Sequence, residues 1–253
     1  MRSWFNFMKF AVIADIHGNS SALKAVVEDL DRLGISEVIN LGDHFSGPLD
    51  AKGTAELLLQ KSFHTVRGNH DRYLLEQDPS EMGPSDLAAH SQLLEVDIDW
   101  LRTLPPTLTL FDDVFCCHGT PKSDQIYWLE KVRADASVGS AHIEEIEREA
   151  QGVNASLLLC AHSHIPRIVQ LRDGRVILNP GSVGCPGYDD DKPVYHKVET
   201  GTPNASYAIA KKTALNWEIT FRSIPYDSGR MIEMAKHNER AEWACALKTG
   251  WLS

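Results

Sequence analysis

The fold of this chain is decided by residues 10–19, which read FAVIADIHGN. The apolar run from Phe10 to Ala14 has the length of a strand that is buried on both faces. Asp15 and His17 follow directly, and Asn19 is a residue type that caps helices. The segment therefore predicts a buried strand, a polar turn and a helix in immediate succession.

The same arrangement repeats downstream. An apolar stripe at helical spacing runs from Leu23 to Leu33, and Gly34 ends the predicted helix. Residues 38–41 and 63–66 predict the second and third strands, with another helix between them. This β-α-β-α-β alternation predicts parallel strands joined by right-handed crossovers. In such sheets the functional groups gather at the carboxyl ends of the strands.

The second half of the chain is rich in strand patterns. Its predicted strands are residues 107–110, 114–117, 157–160, 168–171, 176–178, 207–210 and 217–224. Asp112-Asp113 and Asp173-Gly174 mark turns between neighbouring strands. We expect this half to close a second sheet against the first. The predicted fold class is α/β, a sandwich of two mixed β-sheets flanked by helices.

Helical patterns complete the expected domain. Residues 72–104 and 138–150 predict helices, and residues 227–253 predict a C-terminal helix that docks on the body of the protein. We expect residues 1–253 to form a single domain. Residues 1–7 precede the first strand and are expected to be an N-terminal extension.

Seven side chains of metal-ligand type stand at the ends of apolar runs. They are Asp15, His17, Asp43, Asn69, His118, His162 and His164. A single histidine among them is more often a hydrogen-bonded core or loop residue, but that reading has to explain all seven placements at once. Residues two apart share a face of an extended backbone, so His162 and His164 are expected to point the same way, as are Asp15 and His17. Carboxylate, amide and imidazole ligands without a thiolate suit a pair of divalent cations, the equipment for hydrolysing a phosphate ester.

These residues fall into five ordered blocks: D-x-H at residues 15–17, G-D at 42–43, G-N-H-D at 68–71, the lone His118, and H-x-H at 162–164. The constellation resembles the calcineurin-like metallophosphoesterase superfamily, in its branch of small bacterial and archaeal-type phosphodiesterases. The resemblance extends from Phe10 to about Thr220. One position departs from the pattern, because Ala161 stands where the family's last block usually has glycine.

The resemblance also implies roles for individual residues. The first metal ion would be held by Asp15, His17, Asp43 and His164, and the second by Asp43, Asn69, His118 and His162. Asn69 and His70 would contact the substrate, and His70 would protonate the leaving oxygen. Asp71 is assigned to catalysis as the residue that orients the His70 ring, although a cap on the following helix explains it nearly as well.

The resemblance implies a specific reaction, the in-line attack of a metal-bridging hydroxide on phosphorus with His70 as the acid. Small phosphodiesters, nucleotides among them, are the expected substrates. A phosphomonoesterase or a dinucleoside-polyphosphate hydrolase is the alternative, and a non-catalytic scaffold of the same fold is less favoured because none of the seven ligands is missing. Manganese is the first expectation for both metal ions, with Fe, Ni, Zn or Co as alternatives.

The composition limits the partners of the protein. The 253 residues are 43% hydrophobic and 24% charged, which is ordinary for a globular domain. The formal net charge of −10 argues against duplex nucleic acid, whose phosphates need clustered Lys and Arg. No membrane span or signal peptide is expected. Five irregularly spaced cysteines indicate free thiols and a cytoplasmic protein. The oligomeric state stays open.

Overall fold

A computed structural model describes residues 8–252, so the expected extension at residues 1–7 lies outside the described residues. The first sheet contains, in spatial order, β14 (Trp217–Ile224), β13 (Ala205–Lys212), β1 (Lys9–Ile13), β2 (Val38–Asn40) and β3 (His64–Thr65). The second sheet contains β4 (Thr107–Leu110), β5 (Val114–Cys117), β8 (Leu157–Leu159), β10 (Val176–Asn179) and β9 (Arg167–Gln170). Two small hairpins pair β6 (Glu130–Val132) with β7 (Val138–Ser140), and β11 (Gly187–Asp190) with β12 (His196–Glu199).

Helices cover the outer faces of the sheets. They are α1 (Ser20–Arg32), α2 (Ala51–Leu58), α3 (Asn69–Glu76), α4 (Pro84–His90), α5 (Glu95–Thr103), α6 (Ile143–Glu149), α7 (Gly229–His237) and α8 (Ala241–Thr249). The predicted cap of α1 is confirmed, because the Asn19 side chain accepts from the Ala22 amide. Asp50 caps α2 in the same way by accepting from the Gly53 amide. Between residues 8 and 252, no helix is long and apolar enough to cross a lipid bilayer.

Both sheets are mixed. In the first, β1, β2 and β3 run parallel, and β13 pairs antiparallel with β1. In the second, β5, β8 and β10 run parallel, with antiparallel β4 and β9 at the edges. The predicted sandwich of two mixed sheets flanked by helices is confirmed.

The two faces of β1 explain why the layers hold together. Phe10 and Val12 are buried between the two sheets, with residues of the second sheet such as Leu159. Ala11 and Ile13 point the other way and pack under α1. Because alternate residues of a strand face opposite sides, one five-residue strand contributes to two apolar layers.

Two expectations about the second half of the chain are corrected. Strands β13 and β14 join the first sheet through β1 instead of completing the second. Residues 138–150 form β7 and then α6, because residues 138–140 pair with residues 130–132 in a hairpin. The hydrophobic periodicity of a segment predicts a strand but not the strand with which it pairs, because pairing depends on contacts between distant segments.

The C-terminal segment forms two helices where the pattern predicts one. Glu239 has a φ of +58°, in the left-handed region, and this interrupts the helix after His237. Helix α8 then folds back against α7, and Gly250 ends it with a φ of +82°. The helices bury Met231 and Trp243 in a cluster with Leu49.

We predict that the interface between the sheets carries much of the stability. Leu159 is fully buried there, so Leu159→Ala should lower the free energy of unfolding by about 2–5 kcal/mol. Leu215, which is 98% exposed, provides the matched control, and Leu215→Ala should change it by less than about 0.5 kcal/mol. Urea denaturation of both variants measures the difference, and equal losses would contradict the assignment of this core.

Candidate metal centre

The sheets deliver the predicted ligands from both sides of the sandwich. Asp15, Asp43 and Asn69 follow the carboxyl ends of β1, β2 and β3 in the first sheet. His118 follows β5 in the second sheet. His162 and His164 follow β8, the parallel neighbour of β5. The site therefore lies where the carboxyl ends of two packed sheets meet.

Six of the seven predicted ligands form two clusters of three. Asp15, His17 and His164 have ligand atoms within 4.8 Å of one another, and so do Asp43, His118 and His162. Asp43 Oδ2 lies 3.2 Å from His118 Nε2 in its own cluster and 3.8 Å from His17 Nε2 in the other. Asp43 is therefore placed between the two clusters.

Buried donor atoms without partners show that the site fits cations. Among the described residues, both carboxylate oxygens of Asp15 and the Oδ1 of Asn69 are buried and have no hydrogen-bond partner. Leaving such groups unsatisfied costs about 1–3 kcal/mol each. Divalent cations would satisfy oxygen and imidazole ligands of this kind. The donor set fits two candidate cation sites, one at each cluster.

Backbone carbonyls orient the four histidines. The ring Nδ1 atoms lie 2.7 Å from the carbonyl oxygen of Ser46 for His17, 2.8 Å from that of Leu41 for His118, and 2.8 Å from that of Cys185 for His164. His162 bonds the carbonyl of Gln125. A carbonyl can only accept, so the contacting ring nitrogen carries the proton. In His17, His118 and His164 this leaves Nε2 as the ligand atom.

Burial also sets the protonation of the ligands. Burial lowers the pKa of His17 to about 4 and that of His162 to about 3. The nearby Asp43 carboxylate raises both pKa values, but by less than burial lowers them. Burial likewise lowers the pKa of His164 well below its usual value. These three imidazoles are neutral at pH 7, which is the form that binds a cation. Burial raises the pKa of Asp15 to about 8, so cation binding there would displace a proton.

The backbone at five of the seven ligands is left-handed, which corrects the expectation of extended D-x-H and H-x-H segments. The φ angles are +54° at Asp15, +51° at His17, +56° at Asp43, +70° at His162 and +59° at His164. Such conformations cost about 1–3 kcal/mol each and persist where surrounding contacts impose them. As a consequence, His162 and His164 turn into different clusters instead of sharing one face. Ala161 lacks a positive φ, so glycine is not needed there.

Two glycines allow the ligand loops to touch. Gly42 has a φ of +102°, and a Cβ there would lie 2.3 Å from the Gly68 amide nitrogen. A Cβ on Gly68 would lie 2.2 Å from Asp43 Oδ1. Any side chain at either position would push the G-D and G-N-H-D loops apart.

The structure corrects the role expected for Asp71. Its carboxylate accepts from the amides of Asp43, His44 and Gly68 at 2.8–3.0 Å, and lies 2.9 Å from His44 Nδ1. Asp71 thus caps α3 and holds the Asp43 loop, the alternative considered for it, and its carboxylate is committed to these contacts instead of to the ring of His70. His44 is fully buried and does not line the cleft.

The residue that contacts the His70 ring is Asp86, which sequence reasoning missed. Asp86 Oδ1 lies 2.8 Å from His70 Nδ1, and Ser46 Oγ lies 3.2 Å from the same atom. Burial lowers the pKa of His70, but the carboxylates of Asp43 and Asp86 outweigh it and raise that pKa to about 9. Asp86 stands in the first turn of α4, outside every motif, so a weak helix-start pattern was its only signal.

We predict that matched Asp→Asn changes separate these two carboxylates. Asp71→Asn should lower the free energy of unfolding by about 1–3 kcal/mol, because an amide cannot accept from all of its donors. Asp86→Asn should cost less stability than Asp71→Asn, because its carboxylate contact is with one ring nitrogen. It should lower turnover about 10-fold or more, because the amide no longer holds the charged His70 ring. Thermal unfolding and steady-state kinetics measure both effects, and an Asp86→Asn variant with full turnover would refute this role.

Comparisons with known proteins identify the family of this chain. The profile of the calcineurin-like phosphoesterase superfamily domain matches residues 8–202. An uncharacterized protein of Methanocaldococcus jannaschii is 27% identical over 252 residues, covering 92% of this chain and 94% of that protein. The solved metallophosphoesterase of Sphaerobacter thermophilus has a TM-score of 0.71 at 23% identity, covering 97% of this chain and 100% of its own. A solved candidate diadenosine tetraphosphatase has a TM-score of 0.53 at 15% identity, covering 86% of this chain and 94% of its own.

The two solved structures show a shared fold. The profile match is stronger, because it covers well over half of the chain and includes every predicted ligand block. The chain belongs to the calcineurin-like phosphoesterase superfamily, a family of phosphoric ester hydrolases that use divalent metal ions.

Proposed function

We propose that this protein is a dinuclear-metal-dependent hydrolase of small phosphodiesters. The observation that carries the proposal is the pair of ligand clusters with Asp43 between them, together with the buried oxygens of Asp15 and Asn69, which have no hydrogen-bond partner. Asp15, His17, Asp43 and His164 would hold one ion. Asp43, Asn69, His118 and His162 would hold the other. Manganese is proposed first, with Fe, Ni, Zn or Co as alternatives, since such ligand sets accept several metals.

The bound ions would supply Lewis acidity and activate the water that attacks phosphorus. The chain's own residues would do the rest. Asn69 contributes a neutral oxygen, which limits the negative charge that a phosphate has to approach. Its neighbour His70 keeps a half-buried ring, whose Nδ1 is fixed by Asp86 and whose Nε2 is left for the substrate. We assign His70 to substrate contact and to protonation of the leaving oxygen.

Small diesters are the favoured substrates on grounds of charge. The chain carries a formal net charge of −10, so duplex DNA would be repelled beyond the immediate site. A small diester brings few charges, and its alkoxide leaving group needs the proton that His70 would donate. A phosphomonoesterase or a dinucleoside-polyphosphate hydrolase stays as the alternative, and nucleotides are candidates in either case. A scaffold would have no need to retain all seven ligand side chains.

We also propose that the chain is a single domain in the cytoplasm, with residues 1–7 as an extension. All five cysteines are free thiols and four are buried, as expected in a reducing compartment.

Activity should depend on divalent metal, with Asp43 as the most costly ligand to lose. Exhaustive chelation should abolish hydrolysis of bis(p-nitrophenyl) phosphate, and Mn²⁺ should restore it. Asp43→Ala should reduce metal content at both sites, because Asp43 lies between the clusters, whereas Asn69→Ala should affect one. Metal analysis together with kinetics checks this, and full activity of Asp43→Ala after chelation would refute a dinuclear site.

The role of His70 should depend on the leaving group. His70→Ala should lower turnover of an alkyl diester by roughly 10²–10⁴-fold, the usual contribution of a positioned acid. The loss should be much smaller for a nitrophenyl diester, because nitrophenolate departs without a proton. Rates are compared at equal metal content, and equal losses for both esters would rule out His70 as the acid.

Substrate preference gives a separate check. With Mn²⁺, bis(p-nitrophenyl) phosphate should be cleaved faster than p-nitrophenyl phosphate, and plasmid DNA should be cut poorly because of the acidic surface. Initial rates at matched concentrations measure this. A preference for the monoester would favour the monoesterase alternative, and efficient cleavage of DNA would favour a nuclease.

A further inference from the structure

The helix pair α7–α8 lies beyond the region matched by the family profile and packs beside the metal centre. Asn238 donates from Nδ2 to the carbonyl of Pro48 at 2.9 Å, which ties the turn between the helices to the loop after β2. The ring of Trp243 is buried, with its centroid 6.1 Å from that of the ligand His17. The C-terminal segment therefore forms part of the wall of the site.

Arg240 stands at the start of α8 and points toward the residues that position His70. Its Nη1 donates to Ser85 Oγ at 3.0 Å, and Ser85 is the chain neighbour of Asp86, which contacts the His70 ring. Its guanidinium carbon lies 5.9 Å from the centroid of the Trp243 ring. Arg240 is thus connected to His70 through Ser85 and Asp86. It is connected to His17 through the ring of Trp243.

The guanidinium of Arg240 retains capacity to bind an anion. Its described carboxylate contact is with Glu242, two residues away and partly exposed, and it uses Nε. Nη1 contacts a neutral hydroxyl, and guanidinium has five donors in all. By contrast, Arg72 is held by both oxygens of Asp124 through Nε and Nη2.

We propose that Arg240 is a specificity-determining residue that binds a second phosphate group of the substrate, on the leaving-group side of the scissile phosphorus. Arg240 contacts Ser85, whose neighbour Asp86 contacts His70. Because His70 is assigned to the leaving oxygen, Arg240 is placed on the leaving-group side. The ligand type follows from the guanidinium, whose planar donors match phosphate oxygens. The inference rests on the proposed function and names its substrate class: disubstituted phosphates, joined by an ester or an anhydride linkage, whose leaving group carries a further phosphate.

The reaction with such a substrate is an ordinary hydrolysis. The water oxygen bonds to the scissile phosphorus and releases a proton to solvent, while the bond from phosphorus to the leaving oxygen breaks. The leaving oxygen keeps the electron pair, takes a proton from His70 and departs with the second phosphate attached. His70 lies on the side of that oxygen, and Arg240 balances the charge beyond it. An aryl diester lacks the second phosphate, so Arg240 would contribute little to its hydrolysis.

The experiment compares two substrates in the full-length, Mn²⁺-loaded protein: diadenosine tetraphosphate and bis(p-nitrophenyl) phosphate. Arg240→Gln should raise KM for diadenosine tetraphosphate about 10-fold, the effect expected of one lost hydrogen bond to a charged group. Its kcat/KM for the aryl diester should fall much less, because that substrate has no second phosphate for Arg240 to bind. Arg240→Lys should restore part of the loss. Lys236→Gln is the matched control, because it removes an exposed cation from the same helix pair and should change neither substrate.

Glu242→Gln should change KM in the opposite direction to Arg240→Gln. Removing this carboxylate frees the Nε edge of Arg240, so KM for diadenosine tetraphosphate should fall and that for the aryl diester should not. General damage to the fold cannot produce such an improvement. Melting temperatures of all variants show whether α8 stays docked.

A binding measurement separates this inference from the proposed function. Calorimetric titration of the Mn²⁺-loaded protein with AMP and ADP should show tighter binding of ADP, and Arg240→Gln should remove about 10-fold of that preference. If the wild-type protein hydrolyses neither substrate, the proposed function fails while this measurement still decides the role of Arg240. Equal effects of Arg240→Gln on both substrates, or the same ADP preference in the variant and the wild type, would overturn the inference.

Discussion

Asp43, at the turn after β2, is the residue on which the rest of the site depends. Its carbonyl accepts from the amides of Ile16 at 2.9 Å and His17 at 3.0 Å, which fixes the turn after β1. Its Oδ1 accepts from the His70 amide at 3.0 Å, which fixes the start of α3. Its Oδ2 faces His118 from the second sheet. One residue thus joins three loops of the first sheet to the second.

The geometry around Asp43 is held by buried backbone contacts. The Asp71 carboxylate accepts a hydrogen bond from the Asp43 amide. Gly42 and Gly68 have no side chain, which lets the loops after β2 and β3 approach each other. The positive φ of Asp43 is unfavourable in isolation but is imposed by these neighbours. The ligands are thereby oriented before any cation binds, which reduces the ordering that binding requires.

Electrostatics and burial act together in the same place. Three neutral imidazoles and several unsatisfied oxygens are gathered where water is largely excluded, so cations would interact with them more strongly than in solution. The surrounding protein is acidic, and the described Arg72 is occupied by Asp124. In an acidic protein, a cationic side chain near the cleft, such as Arg240, can therefore affect which substrate binds.

Much of the fold and the positions of the candidate ligands could be predicted from the sequence, because both depend on local patterns. Apolar runs followed by Asp15, Asp43 and His118 predicted strands that end in ligands, and the parallel order of the first three strands followed from their alternation with helices. The order of the five blocks was sufficient to indicate the family, which the profile match confirmed.

The tertiary structure decided what local patterns cannot encode. It placed β13 and β14 in the first sheet, turned His162 and His164 into different clusters, and broke the C-terminal segment at Glu239. It also brought Asp86 to the His70 ring in place of Asp71, across 16 residues of chain. Each of these results depends on contacts between segments far apart in sequence, which outweigh the local backbone preferences of the residues involved.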